Sequence, residues 1–210
     1  MKILYAIQGT GNGHLSRARD IIPLLQQKAE LDVLVSGIQA DVDLPYEVKY
    51  RLRGLSFIFG KKGGIDIPAT IRKARLANLI REIRSLPVED YDLVLNDFEP
   101  VSAWASKLKK VKCIGLSHQA AVINPKSPKP NHIDIMGQLI LRNYAPVKQA
   151  YGFHFKSYNH HIYTPVIRSQ IREAVPTVQE YYTVYLPAYD DSEILKVLGQ
   201  IKNCQWQVFS

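Results

Sequence analysis

The residues of this sequence best placed to do chemistry form one run, Gly9-Thr10-Gly11-Asn12-Gly13-His14. An apolar stretch, Ile3 to Ile7, leads into it, and Leu15-Ser16-Arg17-Ala18 leaves it with the look of a helix. A strand that enters a glycine turn and then opens a helix sets backbone N–H groups and an imidazole at one end of a parallel sheet. Open α/β sheets bind ligands at that end. Gly11 and Gly13 let the backbone approach an anion, and a helix N-terminus favours negative charge. A neutral His14 can take a proton from an attacking hydroxyl; the plainer alternative is that it only caps the helix. Ser16 and Arg17 can neutralise a phosphate or simply populate an exposed helix face.

Two familiar glycine motifs fit poorly. A dinucleotide fingerprint needs a third glycine where His14 stands, and an acidic residue after the second strand, where the sequence reads Ser36-Gly37. A nicotinamide-dependent oxidoreductase is therefore a minor alternative. A Walker-type loop needs Lys-Ser or Lys-Thr after its last glycine, and that pair is missing. His160-His161 is a weak metal site, because neighbouring strand residues point to opposite faces. Tyr144, Tyr151, Tyr158 and Tyr163 are too irregularly spaced for a base-stacking platform.

The elements that must position the glycine run alternate between strand and helix. Strands are expected at Ile3 to Ile7, Leu31 to Val35, Tyr46 to Leu52, Leu55 to Phe59, Asp92 to Leu95 and Cys113 to Leu116. Helices are expected from His14 to Lys28, with a kink or late start at Pro23, from Ile67 to Leu86, from Ser102 to Lys109 and from Ile135 to Tyr151. Short strands follow at Gly152 to Phe155 and His161 to Tyr163. The pattern predicts an α/β fold: a Rossmann-like, mostly parallel sheet with helices on both faces. Tyr181 to Leu186, Ser192 to Gln200 and Trp206 to Phe209 read as a strand, a helix and a strand. One such unit cannot bury both faces of its own sheet, so it is expected to begin a second, truncated domain.

The chain has 210 residues, enough for one sizeable core, and a net charge of +8. That balance favours anionic partners, among them phosphorylated small molecules, nucleic acid and acidic membrane surface. The basic residues gather between Lys49 and Arg84 and at Lys107 to Lys112. The helix from Ile67 is amphipathic and basic, so it is either an ordinary surface helix or one that lies on anionic lipid. No stretch reads as a membrane span or a signal peptide. Cys113 and Cys204 read as reduced core residues in the cytoplasm.

Gly9-Thr10-Gly11-Asn12-Gly13-His14-Leu15-Ser16-Arg17-Ala18 resembles the first glycine loop of the GT-B glycosyltransferases. It is most similar to the cell-wall N-acetylglucosaminyltransferases, whose loop reads G-G-T-G-G-H, with Asn12 in place of a glycine. Ser117-His118-Gln119-Ala120 stands where those enzymes carry His-Glu-Gln-Asn, and Asn96-Asp97-Phe98-Glu99 occupies the other cleft loop. Tyr163-Thr164-Pro165-Val166-Ile167-Arg168 resembles their interdomain linker. The resemblance implies two Rossmann-like domains facing across a cleft. Residues 1–165 would be the acceptor-binding domain, 166–180 the linker, and 181–210 the start of the nucleotide-sugar domain.

By the same resemblance the activity is sugar transfer from a nucleotide-sugar to a hydroxyl acceptor, inverting, with this piece inactive alone. His14 and Asp97 would be catalytic. Gly11, Asn12, Gly13, Ser16, Arg17, His118 and Gln119 would bind substrate. Asp97 would orient His14 or accept from the acceptor hydroxyl, unless it is a solvated carboxylate capping the next helix. No cofactor and no metal are implied. The acceptor is open and can be lipid-linked, which would place the protein peripherally on the inner membrane face. The competing class is a non-catalytic module for nucleotides or nucleic acid; without aromatics on a basic strand face, nucleic acid is not an expected partner.

Overall fold

The computed structural model describes residues 1–37, 42–56, 70, 75–129, 131, 134–186 and 189–209. The chain divides into two compact units, 1–56 with 75–172, and 57–74 with 173–210.

The first unit is built on a seven-stranded sheet: β1 (Lys2–Gln8), β2 (Glu30–Ser36), β3 (Tyr50–Leu52), β4 (Leu93–Asp97), β5 (Cys113–Leu116), β6 (Gln149–Phe153) and β7 (Ile162–Tyr163). Its order is β3-β2-β1-β4-β5-β6-β7, and every pairing is parallel. The chain runs outward from β1 to β3, returns to the middle at β4, and then runs outward the other way. The C-terminal ends of β1 and β4 thus flank the switch point, where loops diverge and leave a crevice.

Strand alternation sorts the core onto two faces. Leu4 and Ala6 of β1 join Leu34, Val94, Val101 and Ala105 on one face, against α3 (Pro100–Lys109). Tyr5 and Ile7 join Val33 on the other, against Leu15, Ala18, Ile21 and Ile22 of α1 (Asn12–Gln26). The α/β layering with helices on both faces is as expected. Helix α2 (Leu76–Ser85) turns Leu79 and Ile83 into the first of these clusters, so it packs as a surface helix on the sheet. The expected helix from Ile67 is described only over this part and Thr70; the remainder lies outside the described residues.

Other expectations need correction. The Tyr46 to Leu52 strand forms only at Tyr50–Leu52. Leu55 and Ser56 are not strand, and 57–59 lie outside the described residues. The helix expected from Ile135 to Tyr151 ends early: α5 covers Ile135–Asn143, and β6 starts at Gln149. Pro146 lies between; it cannot donate a helical N–H and it pushes Ala145 toward extended backbone. Pro23, by contrast, lies inside an unbroken α1. The Arg19 carbonyl, which loses its helical N–H partner there, accepts instead from the Tyr46 hydroxyl at 3.0 Å.

Two short segments complete the first unit, a 3-10 turn (Val88–Asp90) and α4 (His118–Val122), and α6 (Ser169–Glu173) closes it at Arg172. The Val166 side chain packs against the α1-side cluster, so Pro165 to Arg172 lies with this unit. The second unit contains β8 (Tyr182–Tyr185), α7 (Asp191–Leu198) and β9 (Trp206–Phe209), with β8 and β9 paired in parallel. Among the described residues no helix is long and apolar enough to cross a membrane.

Candidate active site

The register of β1 against β4 decides where the chemistry collects. Ile7 sits opposite Asp97 and Ala6 opposite Asn96, so Asp97 faces α1 and Asn96 faces α3. Asn96 accordingly donates to the Ser102 hydroxyl at 2.9 Å and to the Glu99 carbonyl at 2.6 Å. Asp97, with no exposed side-chain surface, meets the first turns of α1 instead.

There the His14 Nδ1 lies 2.8 Å from Asp97 Oδ1. Arg17, one helical turn on, donates Nε to Oδ2 at 2.9 Å and Nη2 to Oδ1 at 2.6 Å. Arg17 Nη2 is also 2.8 Å from His14 Nδ1. The two contacts at Nδ1 pull opposite ways, because an ionised Asp97 only accepts and calls for a proton there, whereas the Arg17 guanidinium only donates and calls for a lone pair. With the proton on Nδ1, His14 donates to Asp97. In that tautomer Nε2 is the nitrogen left to accept. Burial pushes the Asp97 carboxyl up, but its pairing with His14 and Arg17 outweighs this and holds the group below the usual carboxylate range.

The ring of His14 lines an open cleft of about 440 Å³. Gly13, Ser16, Arg17 and His118 line it too, together with Val166, Ile167, Arg168 and Ile171. Added side-chain carbon at Gly11 or Gly13 would meet nothing within 4 Å, so a ligand can reach the backbone there. Gly9 and Gly37 have a different role. Gly37 has φ of +133°, and a Cβ on it would come within 2.6 Å of the Gly9 backbone, so this pair lets the loops after β1 and β2 pass in contact. His118 is fixed through Nδ1, 3.0 Å from the Phe153 carbonyl. A carbonyl only accepts, so Nδ1 carries the proton and Nε2 is left as an acceptor. Burial and the Arg17 charge lower the His118 pKa, against the pull of the Phe153 carbonyl.

Of the nine expected site residues, five line this cleft: Gly13, His14, Ser16, Arg17 and His118. Asp97 stands behind them. Gly11 and Asn12 open α1 just before the lining, and Gln119 turns its Oε1 into buried space. Helix α1 starts without a side-chain cap, so His14 is not a capping residue. Nor is Asp97: α3 is capped by Glu99, whose carboxylate accepts from the Val101 and Ser102 N–H groups and the Ser36 hydroxyl. The guanidinium of Arg17 is engaged by Asp97. The half-buried Arg168, which sequence reasoning did not single out, forms no ion pair among the described residues and lines the same cleft. Its signal was there in the linker-like run that ends with it.

Among the described residues, no group of three His, Cys, Asp or Glu side chains is placed to hold a metal ion. The Asp90-Tyr91-Asp92 triplet lies at the opposite sheet edge, where Asp92 Oδ2 accepts from the Lys2 backbone N–H at 2.7 Å.

Among solved structures the chain is similar to Arabidopsis thaliana UGT89C1 complexed with UDP, at 14% identity and a TM-score of 0.51, over 98% of this chain and 63% of that one. It is also similar to Acinetobacter baumannii MurG, at 13% identity and a TM-score of 0.45, over 99% of this chain and 67% of that one. The chain thus spans about two thirds of the length of these structures. No curated protein matches it. A family model described as glycosyl transferase family 1 matches residues 1–210. With that match across its whole length, and with a parallel Rossmann-like sheet of the GT-B kind, the chain belongs to glycosyl transferase family 1.

Proposed function

We propose that this chain is the acceptor-side part of an inverting glycosyltransferase, with His14 as general base and Asp97 as the residue that positions it. The observation that carries this reading is the 2.8 Å contact between His14 Nδ1 and a fully buried Asp97, made where His14 lines an open cleft. The chemistry uses the tautomer with its proton on Nδ1. The acceptor hydroxyl gives its proton to His14 Nε2 as its oxygen bonds to the anomeric carbon of the donor sugar. The bond from that carbon to the nucleoside diphosphate breaks on the opposite face, so the configuration inverts. Asp97 keeps Nδ1–H in place and offsets the positive charge that the imidazole gains.

The leaving diphosphate needs positive charge and N–H donors. Gly11, Asn12 and Gly13 at the start of α1 would face its oxygens, with Ser16 beside them. Arg168 supplies the charge that Arg17 commits to Asp97. His118 Nε2 would accept from an acceptor hydroxyl, with Gln119 as its neighbour. The donor is a nucleotide-sugar, in keeping with the UDP bound by UGT89C1. In this reading 1–165 forms the acceptor domain, 166–180 the linker, and 181–210 opens the domain that holds most of the donor, so the piece alone is inactive.

The test is His14→Ala in the full-length protein, assayed by transfer of labelled sugar from a panel of nucleotide-sugars. Loss of a general base lowers turnover about a hundredfold or more. Turnover near the wild-type value would remove His14 from the mechanism.

A further inference from the structure

A second cavity, of about 700 Å³, lies between the last turns of α3 and the starts of β5 and β6. Because all the strands of this sheet run the same way, these starts are at the edge opposite His14 and Asp97. Its floor is apolar, with Ile114 and Val147, and its rim carries Lys107, Lys110, Lys112 and Lys148. No carboxylate lines it among the described residues. The run of lysines at the end of α3 is divided in its allegiance. Lys109 bonds to Glu89 at 3.0 Å and to the Leu86 carbonyl, whereas the four rim lysines form no ion pair among the described residues. Lys107 lies over the Trp104 ring at 4.6 Å, a contact that leaves its charge in place.

Two ordinary explanations fall short. A helix C-terminus attracts cations, but its partial charge of about −0.5 cannot balance four ammonium groups. A catalytic role for Cys113, which also lines the cavity, is disfavoured, because burial pushes its thiol up to about 12 despite the neighbouring Ser106 hydroxyl. Such a thiol is inert at neutral pH. The four lysines are exposed around one apolar hollow. The space far exceeds a bare anion and falls within the roughly 300–1,000 Å³ typical of small-molecule pockets.

We infer that this cavity binds a small anionic amphiphile, with a phosphate or carboxylate held by Lys107, Lys110, Lys112 and Lys148 and an apolar body laid on Ile114 and Val147. The site uses none of the residues assigned to sugar transfer, so it stands or falls independently of that reading. Its ligand can be a free molecule or the headgroup and first carbons of a lipid.

The test is amide NMR of the whole chain with three probes: inorganic phosphate, monomeric dodecyl phosphate, and vesicles of phosphatidylglycerol in phosphatidylcholine. Dodecyl phosphate should shift Lys112, Ile114 and Val147 most, at least tenfold more tightly than inorganic phosphate. The affinity should fall with salt, since exposed charges are screened over about 8 Å at physiological ionic strength. Lys112→Glu with Lys148→Glu should weaken binding at least tenfold, and Lys112→Gln with Lys148→Gln should weaken it less, both with unchanged circular dichroism. Vesicle binding lost in the same variants identifies a lipid source; soluble binding without vesicle binding identifies a free ligand. Shifts centred on the His14 cleft, or affinities that ignore both charge variants, overturn the inference.

Discussion

At Asp97 a carboxylate, a guanidinium and an imidazole meet where the carboxylate has no exposed surface. Such a cluster is held by mutual compensation. Charges taken out of water are repaid only by excellent geometry, and deleting one partner leaves the other uncompensated. Arg17→Met should therefore destabilise the protein by about 3–5 kcal/mol at pH 7, read from urea unfolding. The pH dependence follows from the lowered Asp97 pKa. A depressed carboxyl stabilises fully above its unfolded value of about 3.9 and loses that contribution as pH falls through the lower folded value. The gap between wild type and Arg17→Met should thus be widest near neutrality and narrow below about pH 4. An equal gap at pH 3 and pH 7 would show that the ion pair is not its source. Part of this cluster is legible in sequence. Once Ile7 and Asp97 are read as ends of neighbouring parallel strands, alternation sends Asp97 toward α1. The engagement of Arg17 is not legible, because a helix position three residues after His14 can face either the carboxylate or the cleft, and only the three-dimensional approach of β4 decides between them.

Helix α1 must deliver His14 at its start and Arg17 one turn later, so its straightness matters. Pro23 should break it, and periodicity alone predicts a kink or late start. The structure answers with a side chain from far along the chain: the Tyr46 hydroxyl donates to the carbonyl that proline strands. No local pattern contains that contact, and for this reason the sequence misjudges the element. Tyr46→Phe removes the donor and keeps the ring. It should cost about 1 kcal/mol in thermal or denaturant unfolding, with amide protection falling around Arg19 to Gln26. Full stability in the variant would mean that water serves the Arg19 carbonyl equally well. The start of α3 teaches the complementary lesson. Glu99-Pro100 carries a cap followed by a proline at the first helical position, a signal readable in sequence. It assigns the cap to Glu99 and leaves Asp97 free for His14. The two carboxyls, two residues apart, shift in opposite directions. Burial raises Glu99 beyond what its hydrogen bonds to Ser102 and Ser36 offset, whereas Asp97 has cations to lower it.

For the molecule as a whole, the alternation of strand and helix predicts a parallel sheet with two covered faces, and the central strands are where that pattern is strongest. It fails at the edges, where β3 has three residues and β7 two, too few for any period to register. The second unit is poorly covered on its own. Tyr182, Tyr185 and Leu195 each retain 59% or more of their exposure, and near the start of its 173–210 segment Val175 and Val178 are 87% and 99% exposed in non-helical chain. Burial at roughly 25 cal/mol per Å² is what holds small domains together, so the stability of this chain must be uneven, greatest where β1 is sealed between α1 and α3. Thermolysin, which cuts before apolar residues in accessible extended chain, should nick first ahead of Val175 or Val178. The expected first product is a fragment of about residues 1–174, since local opening costs least where fewest apolar contacts must be broken. Mass spectrometry over a time course reads the order of cuts. First cleavage inside β1, α1 or β4 would mean that the sheet bearing His14 and Asp97 is not the rigid part of the molecule, and a 2.8 Å contact on it could not then be relied on to aim a proton acceptor.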